Sequence, residues 1–287
     1  TIAMLSFVGA GCTSGTVTKN MNQAATPSPS VNSMAITDEN SMNQNGDGNS
    51  MMSPSVVQLA GNRISLDNAT LLKPGTVTLS FVLYGRGGNE LSASDLKTEQ
   101  TKKIHLLLVR DDMTGYQHIH PEYIGKKWTV TTTVPNAGQY QLYFGIEPVK
   151  EKSVILRLPV TIGGATQNKN FPVPNSTASA TSGGYVAALQ NASSLVSKKR
   201  TKLVFNLTKN GQAVTSIQPY LGELGHLIII NHNDPDVLYH AHPITSKLSF
   251  GEVTFEGMFA LSGRYTLYAQ FDVAGTVYTF PITVDVQ

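Results

Sequence analysis

Short runs of apolar and β-branched residues, separated by turn-forming residues, recur along the chain from about residue 56 onward. The segment 76–84, TVTLSFVLY, alternates β-formers before a Gly-rich turn, and the segment 128–134 alternates before a Pro-Asn-Ala-Gly turn. A period of two is typical of half-buried strands, whereas helical periodicity is confined to one short turn at 92–96. Short strands with turns at regular intervals predict an antiparallel β-sandwich.

The order of these elements is repeated along the chain. The apolar strand 104–110 matches 226–231, and GQYQLY from Gly138 matches GRYTLY from Gly263 position for position. Two separate motifs in the same order, at similar spacing, indicate two copies of one domain. We therefore predict an all-β protein with two tandem antiparallel immunoglobulin-like β-sandwich domains that follow a disordered N-terminal tether.

Changes of composition set the predicted boundaries. The tether region is rich in Asn, Ser, Thr, Met and Gly and has few branched apolar or aromatic residues, so burial cannot offset the entropy cost of ordering it. A second polar stretch with two prolines separates the domains. The predicted parts are a signal-peptide remnant at 1–12, the tether at 13–54, domain 1 at 55–163, a linker at 164–183 and domain 2 at 184–287.

The N-terminal residues predict export. An apolar run at 2–10 ends in small residues directly before Cys12, and it is too short to span a membrane. The small-small-Cys junction resembles the bacterial lipobox, in which the cysteine is lipidated. The alternative is an ordinary secretory leader with an incidental cysteine. We expect a bacterial lipoprotein, anchored to the membrane through Cys12 and facing the periplasm or the extracellular space.

Composition narrows the classes of function. Charged residues make up 14% of the chain and the net charge is +2, without a Lys/Arg stripe, so nucleic acid is not an expected partner. Cys12 is the single cysteine, which excludes an intrachain disulfide. Low charge together with abundant Thr, Ser, Asn and Val is typical of an exported β-protein.

Histidines occur only in two windows, 105–121 and 226–243, which together hold all seven. If the first window is a hairpin centred between residues 112 and 113, His105 lies opposite His120, and His118 points to the same face. Opposed residues of an antiparallel pair have Cβ atoms about 5 Å apart. Three imidazoles therefore converge on one patch.

The second window gives the same arrangement with one additional residue in its loop. His226 falls opposite His242, and His240 shares their face. His232 has no counterpart in the first window; we expect it to be exposed in a loop, with a ligand role left open. The predicted metal ligands are a first triad, His105, His118 and His120, and a second triad, His226, His240 and His242.

Imidazole clusters of this kind suit transition metals. Neutral imidazole binds copper and zinc, and copper is the favoured cofactor, with zinc the alternative. Carboxylates are expected to orient the rings. The competing interpretation is a structural cluster that bonds a carbonyl or a nearby carboxylate such as Asp111, Asp112 or Glu122. Whether the two triads are separate or shared stays open.

Other sequence features have structural explanations. Tyr140 and Tyr265, each just after a turn, resemble the tyrosine corner of immunoglobulin-like sandwiches, and Trp128 is expected in the core. Soft thioether ligands suit Cu(I), but the tether methionines are irregularly spaced and have no histidine beside them, which favours a plain linker. These methionines are Met21, Met34, Met42, Met51 and Met52.

The histidine motifs resemble a known group of domains. The segment 103–122, KIHLLLV…HIHPE, and the segment 219–227, PYLGELGHL, followed by His-x-His-Pro, carry the resemblance. They are similar to bacterial secreted and lipoprotein domains associated with copper and heavy-metal transport genes, related to YtkA-like and FixH-like immunoglobulin folds. The resemblance covers both domains and implies periplasmic or cell-surface metal handling by the six histidines of the two triads.

Three functions follow, in order of preference. The first is a lipid-anchored metal-binding protein for metal buffering, delivery or resistance, with a metal transporter or a metalloprotein client as partner. The second is a structural or adhesive surface protein of tandem immunoglobulin-like modules without metal. The third is a metal-dependent enzyme, which is disfavoured because Glu122, a candidate base, has Ile244 near its matching position.

Overall fold

The first domain is a sandwich of two antiparallel sheets. The computed structural model describes residues 55–59, 61–67, 72–165, 168–244, 248 and 250–287, so the predictions on Cys12 and the tether methionines lie outside the described residues. The strands of this domain are β1 (Ser55–Leu59), β2 (Asn62–Leu66), β3 (Gly75–Tyr84), β4 (Ile104–Arg110), β5 (Gln117–Ile119), β6 (Glu122–Ile124), β7 (Lys127–Val134), β8 (Gly138–Ile146) and β9 (Val154–Ile162). One sheet has the order β1-β2-β3-β7-β6 and the other the order β5-β4-β8-β9.

The second domain repeats this plan. Its strands are β10 (Ser179–Ser182), β11 (Tyr185–Leu189), β12 (Arg200–Lys209), β13 (Gln212–Ala213), β14 (His226–Asn231), β15 (Leu238–Ala241), β16 (Glu252–Met258), β17 (Gly263–Val273) and β18 (Thr276–Val286). One sheet has the order β10-β11-β12-β13, with β16 also paired to β12, and the other has the order β15-β14-β17-β18. Strand β10 falls within the range 164–183 that the sequence assigns to the linker, and it pairs with β11 of the second sandwich.

Both domains have the strand order of an immunoglobulin-like sandwich. In domain 1, β2-β3-β7-β6 corresponds to strands A-B-E-D, and β5-β4-β8-β9 corresponds to C′-C-F-G. In domain 2 the second of these sheets is β15-β14-β17-β18, in the same order. The all-β, tandem immunoglobulin-like architecture predicted from the sequence is confirmed. In the part of the chain that is described, no helix is long and apolar enough to cross a membrane.

Each sandwich encloses its own apolar core. Trp128 is 1% exposed, and its indole N–H donates to the carbonyl of Leu91 at 3.0 Å, which confirms its predicted core position. The predicted turn near residue 92 is a short 3-10 segment, Ala93–Asp95, whose Asp95 carboxylate accepts the backbone N–H of Ser92 at 2.9 Å.

The two predicted tyrosine corners are also confirmed. The Tyr140 hydroxyl donates to the carbonyl of Asn136 at 3.0 Å, and the Tyr265 hydroxyl donates to the carbonyl of Leu261 at 2.8 Å. Both tyrosines begin the F-like strand of their domain, and both bond the residue four positions upstream. The hydrogen bond fixes the turn that leads into β8 or β17.

Removing one corner hydroxyl is expected to destabilise the protein. The substitution Tyr265→Phe should lower the free energy of unfolding by about 1 kcal/mol, because the carbonyl and the N–H of Leu261 both lose their bond to this hydroxyl. Urea denaturation measures this, with Tyr278→Phe as the matched control, because the Tyr278 ring packs against Tyr185 and its hydroxyl forms no hydrogen bond with a described residue. Equal midpoints for the two variants would contradict the assigned role.

A third apolar layer joins the two domains, which lie in one compact unit. This interdomain layer is formed by side chains of the two C′CFG-like sheets, namely Leu107, Val109, Met113 and Tyr143 from domain 1 and Ile228, Ile230, Leu238 and Tyr268 from domain 2. In β4, the alternate residues Ile104, Leu106 and Leu108 belong instead to the core of domain 1. Strands β4 and β14 are therefore buried on both faces, and this explains why their sequences are continuously apolar rather than alternating.

Reciprocal hydrogen bonds reinforce this layer. The Tyr143 hydroxyl donates to the carbonyl of Pro235, and the Tyr268 hydroxyl donates to the carbonyl of Met113, both at 2.8 Å. The two tyrosines occupy matching positions of the repeat, and each bonds the hairpin loop of the other domain. Tyr116 stacks on Tyr268 with ring centroids 4.0 Å apart. The domains thus face each other as two copies in a symmetric dimer do, within one chain.

Candidate metal centre

The hairpin register places the first triad as the sequence predicts. Leu107 pairs with His118 and Leu106 with Ile119, so one further step along the ladder sets His105 opposite His120. In β4, His105 lies between Ile104 and Leu106, which point into the core of domain 1, so its own side chain points to the interdomain face. It is 5% exposed there.

The second triad has the same geometry. Ile228 pairs with His240 and Leu227 with Ala241, which sets His226 opposite His242. His226 is completely buried. The additional residue of this window lies in the loop between β14 and β15, so the predicted register is confirmed in both copies.

Each triad brings its imidazoles together. Within each triad, one ring nitrogen from every histidine lies within 4.8 Å of the others. Ring centroids are 4.9–5.3 Å apart in the first triad. In the second triad they are 4.6–5.5 Å apart.

The two triads adjoin one another across the domain interface. The centroid of His105 lies 5.5 Å from that of His240 and 6.5 Å from that of His226. The centroid of His118 lies 5.8 Å from that of His240 and 5.7 Å from that of His226. The question left open by the sequence is therefore answered: the triads form one six-histidine cluster to which both domains contribute.

Backbone carbonyls orient the first histidine of each triad, His105 and His226. His105 donates from Nε2 to the carbonyl of Glu99 at 3.0 Å, and His226 donates from Nε2 to the carbonyl of Tyr220 at 2.9 Å. Both acceptors lie six residues upstream, in short turns closed by the bridges Glu99–Lys102 and Tyr220–Glu223. Because a carbonyl only accepts, the neutral rings carry their proton on Nε2 and present the Nδ1 lone pair to the triad.

The contact between His105 and His118 lacks a hydrogen. Nδ1 of His105 lies 3.0 Å from Nε2 of His118, while Nδ1 of His118 lies 2.9 Å from Oε1 of Gln270. Gln270 belongs to domain 2, and because its amide oxygen only accepts, the proton of His118 lies on Nδ1, which donates to Oε1. Two lone pairs therefore face each other, an arrangement that a cation between them would stabilise.

Each triad also has a buried nitrogen without a partner. Nε2 of His120 and Nε2 of His242 are inaccessible to solvent and form no hydrogen bond with any described residue. A buried polar atom without a partner costs free energy, so its repetition at matching positions needs a physical reason. A metal ion accepts this lone pair and provides that reason.

Burial keeps the imidazoles neutral. Desolvation, followed by the neighbouring imidazoles, lowers the pKa of His118 and of His226 to about 3. Desolvation also lowers the pKa of His120 to about 3 and the pKa of His242 to about 4. The pKa values of His105 and His240 are lowered by the same cause. At neutral pH all six rings are in the form that binds metal.

The donor set fits a transition metal. In each triad three neutral imidazoles have one nitrogen within 4.8 Å of the others, and one histidine has a buried nitrogen without a partner, which matches the ligand chemistry of copper or zinc. The expectation that carboxylates orient the rings is wrong, because the acceptors are two backbone carbonyls and one amide. These three acceptors are neutral, so the groups that orient the rings bring no negative charge to the cluster.

The carboxylates near the motif have other roles. Asp112 is buried and pairs with Arg110 at 2.7 Å, while Asp111 accepts a hydrogen bond from Gln141 at 2.9 Å. Glu122 is exposed on β6. Met113, at the loop tip, is buried in the interdomain layer rather than in a triad.

His232 lies outside the cluster and is not the exposed loop residue expected from its position. It is half-buried, with Nε2 2.8 Å from the Thr266 hydroxyl and its ring 6.0 Å from that of Phe171. Desolvation lowers its pKa to about 4. It directly follows β14, an inner strand of its sheet, and belongs to neither triad.

Sequence reasoning missed Gln270, Tyr220 and the interface itself. Nothing in a single motif identifies Gln270, which contacts a histidine 152 residues away. The signal for the interface was present in the unbroken apolar runs beside His105 and His226, because a strand that covers only one core alternates.

Fold and site together define a tandem immunoglobulin-like protein with a histidine cluster between its domains. A family model described as "Domain of unknown function (DUF8832)" matches residues 57–163 and again 179–287, so the chain belongs to this family and contains two copies of its domain. The duplication predicted from the sequence is thereby confirmed. The family description mentions no copper, and the connection to copper-associated YtkA-like and FixH-like domains stays a prediction.

Two further comparisons add little about function. A search of curated proteins finds no match. A solved structure described as "Structures of Clostridium thermocellum CbhA fibronectin(III)-like modules" is similar at 10% identity, with 78% of this chain and 94% of that chain covered and a TM-score of 0.21.

Proposed function

We propose that this chain is a secreted, lipid-anchored copper-binding protein that acts in copper buffering, delivery or resistance. The observation that carries the proposal is the lone-pair contact between His105 Nδ1 and His118 Nε2, 3.0 Å apart, with both ring protons engaged elsewhere. A proton in this contact would have to overcome the burial that lowers both pKa values. A metal ion, in contrast, would bind both lone pairs without any change in the protonation of the rings.

Copper is preferred to zinc on chemical grounds. Nitrogen donors bind Cu(II) more tightly than Zn(II), and imidazole also suits Cu(I) when the site is neutral. The cluster is enclosed between two sandwiches and has no carboxylate among the groups that orient its rings. This setting fits storage and transfer of an ion rather than hydrolysis, so we propose no enzymatic activity.

Location and partners belong to the same proposal. The junction before Cys12 supports export and lipidation, which would hold the two domains at a membrane surface through the polar segment 13–54. A metal transporter or a metalloprotein client would then supply or receive the ion. Nucleic acid is not a proposed partner.

Copper titration of the full chain tests the proposal. The protein should carry Cys12→Ser, so that the lone thiol does not compete for copper. We expect two copper ions per chain, and the variant His120→Ala should lose more than about 100-fold in affinity for one of them, because losing a ligand costs more than the 10- to 100-fold that follows loss of a group that orients a ligand. His232→Ala is the matched control, because it removes a half-buried histidine outside both triads.

The experiment also separates copper from its alternatives. Preference for zinc in competition would change the proposed metal but keep the site. Unchanged stoichiometry and affinity in His120→Ala, as in His232→Ala, would overturn the site.

A structural role for the histidines is the second candidate. The bonds from His105 and His226 to turn carbonyls favour it, because they fasten each turn to its hairpin. This candidate predicts that His105→Ala and His226→Ala lower the melting temperature equally with and without a chelator. Metal binding predicts that the chelator abolishes most of the difference.

A further inference from the structure

We infer that the six-histidine cluster is a binuclear centre with two unequal sites, in which Gln270 of domain 2 positions His118 and makes the first triad the tighter site. The inference rests on the proposed function, since it concerns how the same cluster takes up its ions. It adds an order of filling, a coupling between the ions and a positioning residue that touches no ion itself.

Proximity makes the two sites one centre. Ring centroids of opposite triads are 5.5 Å apart for His105 and His240 and 5.7 Å apart for His118 and His226. Ions bound in both triads would lie close together, with neutral ligands around each of them. Because like charges repel strongly in a buried site, the second ion should bind more weakly than the first.

The repeat breaks its symmetry at Gln270. In β17, Gln270 pairs with His226, and at the matching position of β8 Gly145 pairs with His105. The Gln270 side chain is 4% exposed and reaches across the interface to His118. Gly145 has no side chain that could reach His240 in return.

Gln270 is held in place by further hydrogen bonds. Its amide nitrogen donates to the Thr279 hydroxyl at 3.1 Å, and the Tyr116 hydroxyl donates to its Oε1 at 3.4 Å. These contacts orient the amide so that Oε1 faces Nδ1 of His118, 2.9 Å away. His118 is thereby kept in the tautomer whose Nε2 lone pair points into the first triad.

In the second triad, no such hydrogen bond to a described residue orients His240. Nε2 of His240 lies 3.2 Å from Nδ1 of His226, and no hydrogen bond engages Nδ1 of His240 among the described residues. The His240 proton is therefore free to sit on Nε2 and complete a hydrogen bond to His226. Before an ion binds there, that proton has to move to Nδ1 or leave, which weakens the site.

Stepwise Cu(II) titration followed by electron paramagnetic resonance tests the inference on the full chain carrying Cys12→Ser. The first equivalent should give the signal of an isolated ion, and the second should broaden or remove it through spin coupling. The second ion should bind more weakly than two identical independent sites allow. Gln270→Met should weaken the first step about 10- to 100-fold, because it keeps the length of the side chain but removes the acceptor.

Two further variants separate positioning from folding. Gln270→Glu restores an acceptor oxygen and should recover the first step. Gly145→Gln should strengthen the second step; a Cβ at this position meets the His105 carbonyl oxygen at 3.6 Å and the His105 Cβ at 3.7 Å, which are ordinary contacts. His232→Ala should change neither step.

The outcomes distinguish the two proposals. Two ions that bind equally and show no spin coupling would overturn the binuclear, unequal centre and leave copper binding intact. An unchanged first step in Gln270→Met would overturn the role of Gln270. A chain that binds no copper at all would overturn the proposed function together with the inference.

Discussion

Copper is expected to stabilise the folded protein by about 8 kcal/mol when the free ion is near 1,000 times each dissociation constant. An ion that binds only the folded state adds about 4 kcal/mol per site under these conditions, and the cluster offers two sites. The double variant His120→Ala/His242→Ala should lose most of this gain, because each triad keeps only two of its three ligands. Urea denaturation with and without copper measures the difference.

The control for this prediction is again His232→Ala. It should retain the full gain with copper, since His232 bonds Thr266 outside both triads. Equal stabilisation of the double variant and the parent chain by copper would contradict binding at the triads. A parent chain whose unfolding midpoint does not respond to copper would contradict it too.

Acid is expected to destabilise the metal-free protein well above the pH at which carboxylates titrate. Burial lowers the pKa of His118 and His226 to about 3 in the folded state, whereas unfolded histidine titrates near 6.5. The folded state therefore binds fewer protons. Stability is fully present above pH 6.5 and is lost as the pH falls from there toward 3.

The expected size of this effect is large. Each histidine that stays neutral in the fold costs about 1.4 kcal/mol per pH unit below its unfolded pKa, so His118 and His226 together cost about 4 kcal/mol at pH 5. Urea denaturation in the presence of a chelator, at several pH values between 7 and 5, measures the slope. His118→Gln should reduce the slope of the unfolding free energy against pH by about 1.4 kcal/mol per pH unit, the contribution of one proton. A parent chain whose unfolding free energy does not change over this pH range would contradict the burial of neutral histidines.

The hairpin geometry of each triad was predictable from the sequence. Side chains in a strand alternate, and an antiparallel register fixes which residues face each other, so the positions of His105, His118 and His120 determined their convergence. The same arithmetic held for the second window because its additional residue lies in the loop. Tyrosine corners were predictable for the same reason, since the turn and the strand that form them are adjacent in sequence.

The union of the triads was not predictable in this way. It depends on two sheets that pack face to face, and the residues involved, such as Leu107 and Ile228, belong to different domains. The continuous apolar sequences of β4 and β14 indicated a second buried face, but a sequence does not specify which surface covers it. The acceptors of the ring protons escaped prediction because two of them are backbone carbonyls, which every residue type provides.

Anomalous diffraction at the copper absorption edge, from crystals of the copper-loaded full chain, locates the bound ions directly. We expect two anomalous peaks at the domain interface, one among His105, His118 and His120 and one among His226, His240 and His242. Anomalous density confined to Cys12 or to the methionines of the segment 13–54, with none at the histidines, would contradict this expectation.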